Sequence, residues 1–262
     1  MSDAGQMFSD DKTYERMMGR WSKRVAVQFL DWLDAPKGLH WVEVGCGNGA
    51  FTEELIARCA PRAVDAIDPS EGQLAFARTR PAAKLAQFRI GDAQALPFAD
   101  NSFDAAAMAL VITFVPDPAK AVAEMARVVR PGGLVATYMW DVEGGGLHLA
   151  PIGRALKAMG KEYSRISETA ARRDTMQSLW QSAGLQAVEI RVVHIEVNFT
   201  SFDDFCQSNL VPVGPAGQVL AKMSPAETEQ LKAHLRAQLP IADDGTITYQ
   251  AFANAVKGRV AK

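Results

Sequence analysis

Short apolar runs and stretches with helical spacing alternate along the middle of the chain. Between His40 and Trp140, five apolar runs of strand length are each followed by a turn or an amphipathic stretch. The predicted strands are residues 40–46, 62–68, 83–93, 103–112 and 134–140. Strands that alternate with helices in this way predict a parallel sheet with helices on both faces.

The flanking regions add helices and two further strands to this pattern. Apolar residues recur every three or four positions from Thr13 to Leu33, which predicts a helix before the first strand. Helical stretches are predicted at 151–163, 171–185 and 201–239, and a long β-branched strand at 186–199. Residues 245–260 are interpreted as a final strand, although their alanines would also suit a helix.

Together these elements predict an α/β fold, a Rossmann-like doubly wound sheet of seven mostly parallel strands. We expect a single domain over residues 1–262. It would comprise an N-terminal helical cap (1–37), a core (38–198 and 246–262) and a helical lid insertion (199–245).

Composition excludes several classes of protein. The formal net charge of -2 gives no basic field for nucleic acid. Three scattered cysteines indicate free thiols in a reducing compartment, and no metal site is expected. The first residues have no apolar core typical of a signal peptide, and no apolar run is long enough to span a membrane. We therefore expect a cytoplasmic protein.

The most informative motif is VEVGCGNGAF, residues 42–51, at the end of the first strand of the alternating region. Gly45, Gly47 and Ala50 fit the dinucleotide fingerprint, and Asp68 follows Ala50 by eighteen residues, so an NAD site is not excluded. Glu43, however, would repel a pyrophosphate. A cationic nucleoside is favoured instead, and S-adenosylmethionine (SAM) carries both an ammonium group and a sulfonium. Asp68 and Asp92, at the ends of the next two strands, suit its ribose and adenine.

Four segments, taken together, resemble a known family. VEVGCGNG (42–49), AIDPSEGQLAFAR (66–78), GDAQALPFADNSFDAA (91–106) and RVVRPGGLV (127–135) are similar to class I SAM-dependent methyltransferases of the ubiquinone/menaquinone-biosynthesis-like type, also called methyltransferase type 11. The resemblance covers residues 38–140. It implies a set of cofactor-binding residues: Tyr14, Arg20, Trp21, Glu43, Gly45, Cys46, Gly47, Asn48, Gly49, Asp68, Pro69, Ser70, Gln73, Asp92, Ala93 and Leu110.

The resemblance also implies a role for each part of this set. Glu43 and the glycine backbone would hold the methionine end of SAM, and the backbone around Leu110 would meet its amino group. Asp68 would accept from the ribose hydroxyls. Asp92 and the backbone of Ala93 would contact the adenine edge, with Pro69, Ser70 and Gln73 lining the ring. The first helix would cover the cofactor through Tyr14, Arg20 and Trp21, and Arg20 could pair with the SAM carboxylate.

Each of these residues also has a purely structural reading. The glycines would allow a tight turn, Asp68 could cap a helix, Asp92 could order a turn, and Glu43 could pair with a basic side chain. Arg20 and Trp21 could simply be solvated and buried positions of an amphipathic helix.

The acceptor is less well defined than the cofactor. The chain lacks the Asn/Asp-Pro-Pro-aromatic tetrad of nucleic-acid amine methyltransferases, so we expect a small, partly hydrophobic acceptor methylated by in-line displacement. No general base stands out, and the candidates by position are Tyr138, Asp141, His148 and Tyr249. A homodimer is compatible with the sequence. The competing functions are an NAD(P)-dependent oxidoreductase and a non-catalytic SAM-binding protein.

Overall fold

A seven-stranded sheet forms the centre of the protein. The computed structural model describes residues 15–163 and 168–262. The strands are β1 (His40–Val44), β2 (Ala63–Asp68), β3 (Ala86–Ile90), β4 (Phe103–Ala109), β5 (Val129–Trp140), β6 (Gln186–Phe199) and β7 (Ile247–Arg259). Their order across the sheet is β3-β2-β1-β4-β5-β7-β6.

The first five strands are all parallel, and β7 runs antiparallel to both of its neighbours. The predicted Rossmann-like, mostly parallel sheet of seven strands is therefore confirmed. Chain order reverses between β1 and β4, which lie side by side although β2 and β3 intervene in sequence. Open α/β sheets bind ligands at such a switch point, beyond the carboxyl ends of the strands.

Helices cover both faces of this sheet. A π-helical turn (Glu15–Gly19) leads into α1 (Arg20–Leu33), and the other α-helices are α2 (Ala50–Cys59), α3 (Glu71–Ala77), α4 (Pro118–Val128), α5 (Ala150–Ala158), α6 (Arg173–Ser182), α7 (Phe202–Asn209), α8 (Gly214–Leu220) and α9 (Pro225–Gln238). In the two described ranges, no helix has the length and apolar character that crossing a membrane requires.

Alternating strand residues divide the core into two layers. Trp41 and Tyr138 point to the layer formed with α1 and α2, where the ring centroids of Phe29 and Tyr138 lie 4.6 Å apart. Val42 points to the opposite layer, which α4 and α6 cover. There the indole N–H of Trp180 donates to the carbonyl of Val135 at 3.0 Å, which fixes α6 against β5.

Several strand boundaries differ from the predictions: the first strand ends at Val44 and the third spans only Ala86–Ile90. Two further differences have a clear structural cause. The fourth strand was expected to continue to residue 112, but it ends at Ala109 because Leu110 adopts a left-handed conformation with φ 60°. The fifth strand begins at Val129, five residues before the predicted start, since Val129 already pairs with Phe103. The preceding helix ends at Val128, and residues 130–133 form an irregularity in β5, where Gly132 has φ 78°.

The final segment is a strand, as interpreted from its alternation. It pairs with β5 on one side and β6 on the other, so its backbone hydrogen bonds are made within the sheet. Ala251, Ala253 and Ala255 all face the layer occupied by α1 and are fully buried. Their small side chains give room to larger neighbours, and this packing outweighs the helical propensity of alanine.

Asp104 ties several strands together at the opposite edge of the sheet from the glycine loop. Its carboxylate accepts from the backbone N–H of His40 at 2.8 Å and pairs with the guanidinium groups of Arg62 at 2.5 Å and Arg130 at 2.9 Å. The side chain is only 4% exposed. Although burial opposes ionisation, the His40 N–H and the two arginines hold the pKa of Asp104 below its usual range.

Replacing Asp104 with asparagine should therefore destabilise the fold in a pH-dependent way. We expect a loss of about 1–3 kcal/mol in the free energy of unfolding at pH 7. A lowered folded-state pKa stabilises above the unfolded pKa of about 3.9, so the difference from wild type should persist down to about pH 4 and shrink as the pH falls below it. Urea denaturation at several pH values measures this, with exposed Asp100→Asn as the control. A difference that does not depend on pH would contradict the assigned ion pairs.

Candidate cofactor site

The glycine loop between β1 and α2 is built from left-handed backbone. Gly45, Gly47 and Gly49 have φ angles of 76°, 51° and 81°, a region that other residues enter at a cost. At Gly45 a second constraint applies. A β-carbon there would lie 2.5 Å from the Cγ2 of Val111, beyond the end of β4. The loop thus requires glycine for its conformation and for close packing against β4.

The N–H groups of this loop point into the protein. The amides of Gly45 and Cys46 both donate to the carbonyl of Ile67, at 2.8 and 2.9 Å. The Gly47 amide donates to the Asp68 carboxylate at 2.9 Å, and the Gly49 amide donates to the Cys46 carbonyl. A dinucleotide loop needs such amides to approach a pyrophosphate. This arrangement therefore disfavours the dinucleotide interpretation.

Glu43 brings a carboxylate into the core directly below the loop. It is 1% exposed, and one oxygen accepts from the Thr52 hydroxyl at 2.6 Å. The other oxygen, Oε1, is buried without a hydrogen-bond partner. Burial raises the pKa of Glu43 to about 8, and the nearby Asp68 charge contributes a smaller increase. The Thr52 hydrogen bond acts in the opposite direction and lowers this pKa. An orphaned acid of this kind fits a cationic ligand.

Asp68 lies at the end of β2 and organises two neighbouring segments. Its carboxylate accepts from the Gly47 amide and from the Ser70 amide, each at 2.9 Å. Burial raises the pKa of Asp68, and these two N–H groups partly offset that effect. Since two amides occupy only part of its acceptor capacity, the carboxylate can still accept hydroxyl donors. Ser70 caps α3 by accepting from the Gln73 amide, as a helix start was expected there.

The predicted adenine end of the site is more exposed. Asp92 follows β3, and its carboxylate accepts from the Gln94 amide at 2.8 Å, which orders a turn. The neighbouring Ala93 is half-buried and Pro69 is exposed. The side-chain oxygen of Gln73 would lie 3.7 Å from a β-carbon on Gly47, so α3 reaches the glycine loop. The role of Asp92 in adenine binding stays a prediction.

Leu110 carries a strained backbone at the point where β4 meets the loop. Its φ of 60° is uncommon for a leucine, and its amide donates to the Tyr138 carbonyl at 2.9 Å. Strained residues of this type cluster at ligand sites, where the surrounding structure enforces them. Here the adjacent Val111 packs against Gly45, so the strain positions the end of β4 beside the glycine loop.

The residues predicted to cap the site from the first helix lie beside the ends of β5 and β6. Trp21 is fully buried, and its ring packs against His148 and Phe199. The Arg20 guanidinium lies 4.8 Å from the ring centroid of Phe199, the last residue of β6. Four strand spacings, roughly 19 Å, separate β6 from β1. The pairing of Arg20 with the SAM carboxylate stays a prediction, and Tyr14 lies outside the described residues.

The sequence analysis did not identify three residues that contribute to this site. Thr52 holds Glu43, and Val111 packs on Gly45. Arg80 donates through Nε to the Asn48 carbonyl at 2.6 Å and pairs with Glu53 on α2 at 2.7 Å, so it braces the loop. No local signal marks any of them, because each acts across a long sequence separation. Within the loop, Asn48 itself accepts from the Ala50 amide, and Cys46 is buried.

Comparisons with known proteins agree with this geometry. Residues 42–137 match the family described as Methyltransferase domain. Demethylmenaquinone methyltransferase of Desulfitobacterium hafniense is 37% identical over 122 residues, 45% of this chain and 47% of that protein. A ubiquinone/menaquinone biosynthesis C-methyltransferase of Dinoroseobacter shibae is 29% identical over 180 residues, 62% of this chain and 72% of the relative. The similarity to the first of these spans about half of the relative's length.

Solved structures show the same fold. Phosphoethanolamine N-methyltransferase 2 of Haemonchus contortus, solved with S-adenosylhomocysteine, superposes with a TM-score of 0.60 at 16% identity. The similarity covers 100% of this chain and 61% of that one. Sheet order, glycine loop and buried acid define the class I methyltransferase fold. Residues 42–137 of this chain therefore match a methyltransferase domain, and the similarity to the ubiquinone/menaquinone-type methyltransferases is strongest over that part.

Substituting alanine at Gly45 should destabilise the protein by about 2–4 kcal/mol, since it adds left-handed strain to a collision with Val111. Gly38→Ala is a matched control, because Gly38 has the same φ of 76° with nothing within 4 Å of its β-carbon. It should cost only about 1–2 kcal/mol. In a double-mutant cycle, Val111→Ala should recover part of the Gly45→Ala loss. Equal losses at both glycines would show that the packing constraint is wrong.

The pKa of Glu43 predicts pH-dependent cofactor binding. A cation binds the ionised carboxylate, so SAM affinity should rise between pH 6 and pH 8 and level off above that, with proton release on binding near pH 7. Calorimetry in two buffers of different ionisation enthalpy measures the released protons. Glu43→Gln should bind more weakly and lose this component of the pH dependence. Identical proton release by both proteins would contradict a titrating Glu43.

Proposed function

We propose that this protein transfers a methyl group from SAM to a small, partly hydrophobic acceptor by in-line displacement. The observation that carries the proposal is the buried, half-partnered carboxylate of Glu43 beneath a loop whose amides point inward. That combination offers an acidic group and turns the loop amides away, which suits an ammonium and a sulfonium and does not suit a pyrophosphate. It therefore favours methyl transfer over the alternative of an NAD(P)-dependent oxidoreductase.

In this proposal the cofactor supplies an electrophilic methyl group on a sulfonium. Glu43 and the carbonyls of the glycine loop hold its methionine end, beside the backbone of Leu110. Asp68 accepts from the ribose hydroxyls, and Asp92 with Ala93 contacts the adenine. Most of the remaining work is to place the acceptor nucleophile in line with the methyl group and to exclude water.

We propose that helices α7 to α9, inserted between β6 and β7, form the lid of the acceptor pocket. Lys161, just after α5, pairs with Glu227 on α9 at 2.8 Å, and the Arg236 guanidinium lies 3.8 Å from the ring centroid of Phe202 on α7. The first contact joins the insertion to the segment that follows β5, and the second packs two helices of the insertion together. We propose one domain with the cap, core and lid boundaries given above, and a cytoplasmic location.

Two of the general-base candidates are disfavoured by their surroundings. Burial raises the pKa of Tyr249, and its hydroxyl donates to the His148 carbonyl at 2.6 Å. The Asp141 carboxylate accepts from the Gly144 amide and orders the turn after β5. We therefore assign no general base. Acceptors that are already nucleophilic do not require one.

Calorimetric titration with SAM, S-adenosylhomocysteine and NADH tests the proposal. Wild type should bind both adenosyl compounds in the micromolar range. Asp68→Ala should weaken that binding by about 1.5–3 kcal/mol, roughly tenfold or more, because a charge-assisted contact to the ribose is lost. Asp244→Ala is the control, since that exposed carboxylate bonds only within its own turn at Thr246.

Each outcome of this titration decides between the candidate functions. Binding of NADH in preference to SAM would overturn the proposal in favour of the oxidoreductase. SAM binding with no methyl transfer to any member of a broad acceptor panel would favour a non-catalytic SAM-binding protein. Affinity for SAM that falls in Asp68→Ala but not in Asp244→Ala would support the assigned site.

A further inference from the structure

The segment between β3 and β4 carries the predicted adenine contacts but has little regular structure of its own. Residues 91–102, all within the described part of the chain, contain no helix or strand, and Asp92 and Ala95 form an isolated bridge. Asp92 is exposed and Ala93 is half-buried, whereas Leu96 is only 4% exposed. Because burial and backbone pairing do little to fix Asp92, contacts from other elements decide how firmly this segment is held.

One arginine on α4 makes five hydrogen bonds along this segment. Nε and Nη2 of Arg127 donate to the two carboxylate oxygens of Glu124, at 2.7 and 2.8 Å. Nη2 also donates to the Leu96 carbonyl at 3.1 Å, and Nη1 donates to the Phe98 carbonyl at 2.8 Å and to Asp100 at 2.7 Å. These bonds use all five N–H donors of the guanidinium group. A lysine, with three donors and no planar fork, could not reproduce them.

Glu124 holds the same segment from a second direction. Its Oε2 accepts from the Leu96 amide at 2.8 Å, so both backbone groups of Leu96 are bonded to the pair formed by Glu124 and Arg127. The hydrogen bond from Arg127 lowers the pKa of Glu124, burial opposes this by a smaller amount, and the Leu96 amide adds to the decrease. The carboxylate therefore stays ionised at neutral pH and keeps these charge-assisted bonds. We call Glu124 and Arg127 the α4 clamp.

A single tight turn links the residue held by the α4 clamp to Asp92. In this turn the Ala95 amide donates to the Asp92 carbonyl at 3.0 Å, and the Gln94 amide donates to the Asp92 carboxylate at 2.8 Å. The side-chain oxygen of Gln94 accepts from the Asp117 amide, just before α4, at 3.2 Å. On its other side Asp92 follows β3, which pairs with β2 as far as Ile90. A shift at the clamp would therefore move this turn, and Asp92 with it.

We propose that the α4 clamp positions Asp92 and Ala93 against the adenine of the cofactor, and so determines how strongly the site discriminates adenine from other bases. This inference rests on the proposed function. Glu124 and Arg127 are positioning residues, which act through the turn and do not touch the cofactor. The Asp92 carboxylate can accept from the 6-amino group of adenine, whereas a 6-oxo group offers it only another acceptor. Discrimination then depends on how accurately the turn is held.

Calorimetry with S-adenosylhomocysteine and S-inosylhomocysteine tests this role, because the two ligands differ only in the base, where a 6-oxo group replaces the 6-amino group. Wild type should bind the adenosyl compound about tenfold more tightly or better. In Arg127→Lys and Glu124→Gln this ratio should fall about threefold to tenfold, since the adenosyl affinity falls and the inosyl affinity changes little. A residue that only stabilised the fold would leave the ratio unchanged.

Arg62→Lys is the matched control. Arg62 also pairs with a buried carboxylate, that of Asp104, and donates to a backbone carbonyl, that of Gly38 at 3.2 Å. These contacts lie at the opposite edge of the sheet from the glycine loop, so the substitution should lower stability and leave the ratio as in wild type. Asp92→Ala should bring the ratio close to that of two equally bound ligands, which sets the full scale of the effect.

Hydrogen exchange without ligand gives a second readout, which does not depend on the cofactor. The amides of residues 92–98 should exchange faster in Arg127→Lys than in wild type or in Arg62→Lys, because the segment loses its clamp. If Arg127→Lys does not fold, Glu124→Gln carries both measurements, since the Glu124 side chain is 20% exposed and tolerates substitution more readily than a core residue.

The possible results separate this inference from the proposed function. If wild type binds S-adenosylhomocysteine but both clamp variants keep its ratio, the positioning role is wrong and the proposed function stands. Equal binding of the two ligands by wild type, or an equal fall of the ratio in Arg62→Lys, would also overturn the inference. Failure of wild type to bind S-adenosylhomocysteine would instead refute the proposed function, and this inference with it.

Discussion

The buried carboxylate of Glu43 is the constraint on which the site depends. A charge in that position is unfavourable unless something positive or protic compensates it. The protein supplies one hydroxyl, from Thr52, and leaves the other oxygen without a partner. At the same edge of the sheet, the loop amides of Gly45 and Gly47 point inward. They donate to the Ile67 carbonyl and to the Asp68 carboxylate. Together these features place two carboxyl groups beside inward-turned loop amides, an arrangement that suits a cationic nucleoside better than a pyrophosphate.

Small residues in the sheet determine how closely the first helix packs. Alanines on β4 and β7 flank the large Tyr138 and Trp140 of β5, so bulky and small side chains alternate across one face. This alternation allows α1 to approach the sheet closely and to place Trp21 near the end of β5.

The parts of the site that could be predicted from sequence are those with local causes. Each of these features leaves a short-range signal in the sequence. Examples are the left-handed glycine Gly47, the acid Asp68 at a strand end and the serine Ser70 at a helix start. Thr52 and Arg80 were missed because their partners lie nine and thirty-two residues away in the chain. The helical periodicity correctly indicated that Arg20 lies on a solvent-exposed helix face. It did not indicate that Arg20 lies against Phe199 at the end of β6.

Alternation of apolar runs and glycine punctuation was enough to predict the fold class and the order of strands and helices along the chain, because these follow from local backbone preference. The cofactor class was predicted from the charge of a few acidic residues and from the family resemblance. The tertiary structure alone decided that β5 begins at Val129, that the last segment pairs antiparallel between β5 and β6, and that the rings of Trp21 and Trp140 both pack against His148. These outcomes depend on which strands pair and which side chains pack, and such contacts join residues that are distant in sequence.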